Sequence, residues 1–437
     1  MDASSHPESE PPEYGNVGNK RSELVQHTEQ LENGKGNVWL RLAVESRAKS
    51  PKQRPLFVTA DTIRGSVEID CEHIGQPKGI SIAVTASMTA VGQEEERFLH
   101  ISQSLWSNKD PSKGKLPAGR SSWPFAIVLP EKIAPAGKSK ASSPAPYPLP
   151  PSFSEKGSPA YIDYKLITTV RRGLFKSNQT LVCPFVYLSV SQAEPPSRLR
   201  LAAYRDGTAL SGPDGDPEGW QISPSANITG TLFDARQVEV RYTLAVARPL
   251  THSRGSPIPL SVTVISEDEQ ALSLLSAPAS IRLCLIRFRV LGPNAMFEDT
   301  EAARSDQIFQ ETVGTAYFWP SDASMSGGSS RTLWGELLVK SDSKPSFVCP
   351  GFSLGYTVSL FPAQAAGFVP KVQSNEPLAT QKISVTTTGP AGVSIRSHAP
   401  PGYEYPEEAD YTNTLGYLEN GNQRFLHHGV GGTFAIG

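Results

Sequence analysis

The sequence predicts an all-β protein: two tandem immunoglobulin-like β-sandwich domains flanked by disordered N- and C-terminal tails. Apolar residues recur with period two along most of the 437 residues, the signature of strands with one buried face. These runs are short and bounded by Pro, Gly and Ser clusters, which favour turns. The pattern then breaks once, between Ala193 and Trp220, at Pro195-Pro196 and at Gly212-Pro213-Asp214-Gly215-Asp216-Pro217. The expected organisation is a tail at 1–35, a sandwich at 36–192, a linker at 193–220, a second sandwich at 221–388 and a tail at 389–437.

Residues 1–35 are polar and poor in β-branched and aromatic side chains, so they bury too little apolar surface to order. Strands then begin. Val38, Leu40, Leu42 and Val44 share one face, and Ile63, Gly65, Val67 and Ile69 alternate with Arg64, Ser66 and Glu68. Ile80 to Met88 repeats the alternation, Phe125 to Leu129 is a shorter strand stopped by Pro130, and Ile162 to Val170 and Leu181 to Val190 complete the first half. In the second half Val238 to Val246, Ile258 to Val264, Ile281 to Val290, Leu333 to Val339, Phe352 to Leu360 and Ile383 to Val385 read as strands. Glu267 to Leu275 is the best helical candidate, a connecting turn in length. Beyond about residue 388 the chain is rich in Gly, Pro and Asn, with acidic residues at Glu404, Glu407, Glu408 and Asp410, and reads as a mobile tail.

A net charge of −2 gives no footprint for a polyanion, and clusters such as Arg171-Arg172 read as solvated loops, so no nucleic-acid partner is expected. Cys71, Cys183, Cys284 and Cys349 are scattered, without a CxxC pair, and read as small reduced hydrophobes. The N-terminus lacks the charged and apolar regions of a secretory signal, and Asp2 and the final FAIG argue against N-myristoylation and prenylation. No apolar run reaches 18 residues, so direct membrane insertion is not expected. These features predict a cytoplasmic protein whose association with membranes runs through partners.

The motifs that carry chemistry lie in the two tails. Pro11-Pro12-Glu13-Tyr14 and Pro400-Pro401-Gly402-Tyr403 are copies of Pro-Pro-x-Tyr. Adjacent prolines pre-set a polyproline II helix, so little entropy is lost when the aromatic groove of a WW domain clamps them. The tyrosine fills a second pocket and fixes register. At this chain's Pro and Tyr frequencies a single copy arises by chance on the order of 0.1 times, and two are much rarer. Pro11, Pro12, Tyr14, Pro400, Pro401 and Tyr403 are therefore the candidate WW-binding residues. Carried on one body, two such contacts would add avidity without a new contact type.

Several residue strings resemble the arrestin family. They are Trp39-Leu40-x-Leu42, Pro55-Leu56-Phe57 followed by Asp61-x-Ile63-x-Gly65-x-Val67, Trp123-Pro124-Phe125, Leu149-Pro150-Pro151-Ser152-Phe153 and Arg171-Arg172-Gly173-Leu174-Phe175. The second half is similar to the C-domain of fungal arrestin-like proteins at Tyr242-Thr243-Leu244-Ala245 and Arg254-Gly255-x-Pro257-Ile258-Pro259-Leu260. The resemblance spans roughly residues 36–372 and implies the bilobed arrestin fold. Arrestin-related proteins bearing Pro-Pro-x-Tyr act as adaptors. Their lobes engage a membrane transporter or receptor as cargo, and their tails recruit HECT-type ubiquitin ligases through WW domains. The resemblance thus implies a non-enzymatic adaptor without cofactors, recruited peripherally to plasma membrane or endosomes. The alternative is an arrestin-fold trafficking scaffold that works without a ligase.

Catalytic lookalikes are weak. Gly351-Phe352-Ser353-Leu354-Gly355 matches a nucleophile elbow, which needs a helix after the serine, but Tyr356 to Phe361 is β-prone. Gly429, Gly431 and Gly432 lack a βαβ context, Asp214-Gly-Asp216 lacks the ligand series of a calcium loop, and no His pair has catalytic metal spacing. Pro150-Pro151-Ser152-Phe153 is a near miss of the WW motif and reads as a lead-in to a strand.

Overall fold

The structure, a computed structural model, describes residues 24–72, 76–110, 116–117, 119–134, 146–173, 177–295, 307–321 and 328–401. Among them the strands form four main sheets and a two-stranded ribbon. The first sandwich packs a four-stranded sheet, ordered Val25–Glu32, Val38–Ser46, Thr62–Asp70, Arg120–Val128, against a five-stranded one. That second sheet runs Leu56–Val58, Gln179–Leu188, Ala160–Arg171, Gly79–Ala90, Glu96–Ser107. The faces follow the sequence pattern: Leu40, Leu42, Ile63, Val67, Ile69, Ile80, Ile82 and Leu166 are fully buried. Their removal from water stabilises the fold by about 1.5–3 kcal/mol per side chain.

Gly65 shows why one motif position tolerates no side chain. A Cβ there would meet the Ala43 carbonyl oxygen at 2.1 Å and the Phe125 ring at 2.7 Å. Four residues upstream, a turn is closed by Asp61, whose carboxylate accepts from the Val58 N–H at 2.9 Å and from the Arg47 guanidinium at 2.8 Å.

The second sandwich pairs two larger sheets. One contains Tyr317–Pro320, Ser330–Leu338, Pro257–Ile265, Arg236–Ala247, Ala226–Leu232 and Phe368–Pro370, with Trp220–Ile222 on its flank. The other contains Thr251–Ser253, Ala379–Thr386, Phe352–Phe361, Arg282–Leu291 and Gln307–Thr315, with Phe347–Cys349 alongside. The helical candidate forms as Glu269–Leu275, capped by Asp268, whose side chain accepts from the Ala271 N–H.

Three stretches depart from the sequence expectation. Val25–Glu32, read as tail, is an antiparallel edge strand with Val25 opposite Ser46. It is polar because only one face is covered, by contacts such as His27 Nε2 to Ser46 Oγ at 2.9 Å. Inside the expected linker, Arg198–Asp206 forms a helix, α1, with Ser197 as N-cap and Gly207 as left-handed C-cap. Residues 389–401, read as the start of a mobile tail, lie within the described structure, and Ser397 and His398 bond to the second sandwich.

One apolar cluster runs through both sandwiches. Phe153, from the loop before the Ala160–Arg171 strand, inserts between Phe347 and Phe352 of the second sandwich, with both centroid distances 5.4 Å. Phe153 is buried, which removes the near-miss string from consideration as an accessible ligand. Beside it Glu155 meets Arg287 at 3.0 Å and Arg289 at 3.9 Å, and Arg287 also meets Glu311 at 2.7 Å. Farther along the seam Ser191 exchanges hydrogen bonds with Thr387, and Gln192 bridges Thr388 in parallel.

Candidate functional site

Of the six expected WW-binding residues, Pro11, Pro12, Tyr14 and Tyr403 lie outside the described residues, while Pro400 and Pro401 lie inside them. Pro400 is half-buried and Pro401 exposed, so the second motif starts at the surface of the second sandwich. What holds it there is built on the outer face of the sheet that carries Ser330–Leu338. Along that strand Leu333, Gly335 and Leu337 turn into the core, and Trp334 and Glu336 turn outward.

A second, smaller layer covers that outer face. Trp334 packs on Trp220 at 5.6 Å between centroids. The Arg200 guanidinium from α1 lies 4.7 Å above the Trp220 ring and donates to the carbonyls of Arg248 and Gly219, both at 2.6 Å. Burial lowers the pKa of Arg200 from its ordinary value, yet these carbonyls and the ring satisfy the cation. Asp216, in the turn read from sequence, accepts from the Ser197 hydroxyl at 2.5 Å and so ties the loop to the start of α1.

The C-terminal segment docks next to this layer. Glu336 is almost fully buried, and its two carboxylate oxygens accept from the Ser397 hydroxyl at 2.6 Å and the His398 N–H at 2.5 Å. The His398 ring packs on Tyr204 of α1 at 5.2 Å. Burial pushes the Tyr204 phenol up to about 12, with Arg200 pulling it back and Glu336 adding to the rise. A buried carboxylate is costly unless charge-assisted hydrogen bonds satisfy it, and the tail supplies two. Tyr204, Glu336, Ser397 and His398 were not singled out from sequence. The signals were faint: Ser197 and Gly207 at helix-cap spacing, and one carboxylate in the otherwise apolar run Leu333 to Leu338.

A separate cleft of about 1190 Å³ opens between the sandwiches, with Pro148 and Leu149 on one side and Phe288, Val290, Leu354 and Lys382 on the other. Ser353 also borders it, but sits inside the Phe352–Phe361 strand, opposite Val290 and Val348, with no helix after it. The strained turn of a nucleophile elbow is absent from that position. Among the described residues no group of three or more His, Cys, Asp or Glu side chains is placed to hold a metal. All four cysteines are buried, and burial pushes the thiols of Cys183 and Cys284 up to about 11. No helix among the described residues is long and apolar enough to cross a membrane.

Among curated proteins none matches the chain. The family model described as Arrestin (or S-antigen), N-terminal domain, matches residues 47–187, which is most of the first sandwich. The first sandwich is therefore similar to an arrestin N-terminal domain, and with the tandem all-β architecture the match supports an arrestin-like protein.

Proposed function

We propose that this chain is an adaptor that links a membrane transporter or receptor to a HECT-type ubiquitin ligase, promoting ubiquitylation and endocytosis or sorting of that cargo. The observation that carries the proposal is the pair of Pro-Pro-x-Tyr motifs flanking an arrestin-like body. In this reading the body comprises the two sandwiches, including the Val25–Glu32 edge strand, with α1 between them, and it engages the cargo. Pro11, Pro12 and Tyr14, with Pro400, Pro401 and Tyr403, occupy WW domains of the ligase. The chain works in the cytoplasm and reaches plasma membrane or endosomes through these partners.

The test is binding of the purified chain to a tandem-WW fragment of a HECT ligase, comparing wild type with Tyr14→Ala, Tyr403→Ala and the double variant. The expected result is micromolar or tighter binding, weakened about tenfold or more by each single change and lost in the double. Absence of binding by wild type would refute the ligase link and leave the ligase-independent scaffold.

A further inference from the structure

The second motif does not begin in free solution. Pro400 follows the His398 anchor by two residues, a span of about 6 Å in polyproline II geometry. On the upstream side the chain is held by both oxygens of Glu336 and by the Tyr204 ring. A WW domain grips prolines between aromatic side chains, so it needs room on more than one side of the ligand. Pro400 is already partly covered.

We infer that the Glu336–Tyr204 face is a docking surface for the chain's own residues 397–400, and that this docking competes with WW-domain binding to the second motif. The inference rests on the WW-binding reading of that motif. The carboxylate acts as a two-point clasp: one donor comes from a side chain, the other from the backbone, so only one register of the segment satisfies both. The Ala399 N–H closes the turn onto Ser397 Oγ at 3.2 Å, which stiffens the segment immediately before the prolines. Docked chains bind a WW domain poorly and released chains bind with the intrinsic affinity of the motif. The apparent affinity is therefore the intrinsic one scaled by the released fraction.

The experiment uses the full-length chain carrying Tyr14→Ala, which leaves the second motif alone, and a single WW domain of a HECT ligase as probe. A synthetic peptide of residues 395–409 serves as the undocked reference. The expected result is that the peptide binds about tenfold or more tightly than the Tyr14→Ala chain. Adding Glu336→Gln or Ser397→Ala should bring the chain to within about twofold of the peptide. Hydrogen exchange at the His398 amide should accelerate in the Glu336→Gln chain. Ser397 lies outside the sandwiches, and urea unfolding of the Ser397→Ala chain checks that its change in binding does not come from a fold defect. Equal binding by peptide and Tyr14→Ala chain would overturn the competition while leaving the adaptor function standing. Weaker binding in the Glu336→Gln and Ser397→Ala chains would overturn it too, by showing that docking presents the motif. A peptide that binds no WW domain would refute the WW reading itself, and the competition with it.

Discussion

Removing the Glu155 side chain should loosen the seam between the two sandwiches, and the structure sets the scale. Glu155 faces Arg287 at 3.0 Å and Arg289 at 3.9 Å, and the three side chains are 17%, 16% and 11% exposed. At an effective dielectric of about 20 these distances correspond to roughly 4–6 kcal/mol of attraction per pair, before desolvation. Desolvation consumes much of that, as burial lowering the Arg287 pKa shows, though Glu311 and Glu155 more than restore it. In Glu155→Ala both guanidinium groups remain largely buried with Glu311 as the shared carboxylate, 2.7 Å from Arg287 and 3.8 Å from Arg289. Breaking a buried pair from one side costs about 3–5 kcal/mol, and Glu311 retains part of it, so about 2–3 kcal/mol is expected. Urea unfolding of wild type, Glu155→Ala, Arg287→Ala and the double variant measures this and isolates the pair. Its coupling energy should exceed about 1 kcal/mol. A loss below about 0.5 kcal/mol for Glu155→Ala would refute the view that these charges hold the domains together.

Two further outcomes are expected. Desolvation, helped by Arg200, depresses the fully buried His252 to about 3, with a backbone hydrogen bond to Ala247 acting the other way. The unfolded chain then takes up a proton near pH 6.5 that the folded chain refuses. Stability should therefore be undiminished by this group above that pH and fall by about 1.4 kcal/mol per unit below it. Denaturation at pH 7.5 and 5.0, with His252→Asn as the flattened control, checks the slope. Gly65→Ala should destabilise the first sandwich by about 3 kcal/mol, because the Ala43 carbonyl that a Cβ would strike is backbone. Thermal unfolding measures it, and a change under about 1 kcal/mol would mean that the two strands can part there.

Strands with one buried face were the legible part of this fold. Val38–Ser46 and Phe352–Phe361 appear where the alternation placed them, to within a residue. Strands rich in polar residues, with few and irregularly spaced apolar ones, were not legible. Glu96–Ser107 carries Arg97, His100 and Gln103, and Gln307–Thr315 carries Gln310 and Glu311, so their periodicity dissolves although backbone pairing holds them in the sheets. Val25–Glu32 was missed for the same reason. α1 was obscured by the Pro-Pro before it and the Gly-Pro turn after it, which read as a linker, although its caps were present in the sequence. The two Pro-Pro-x-Tyr strings can be read without the fold because each is a local stretch of sequence. The clasp around Glu336 cannot, since it joins residues about sixty positions apart that meet only through the sheet.

The stitch between residues 191–193 and 387–388 closes the second sandwich into a loop whose two ends leave side by side. A pull on the C-terminal segment therefore meets resistance first at Glu336, through Ser397 and His398, and next at the domain seam, in a short parallel zipper loaded along its length. Tilting one sandwich against the other shears the same zipper from the opposite end. The angle between the domains and the anchorage of the segment that bears the second motif thus share one mechanical element.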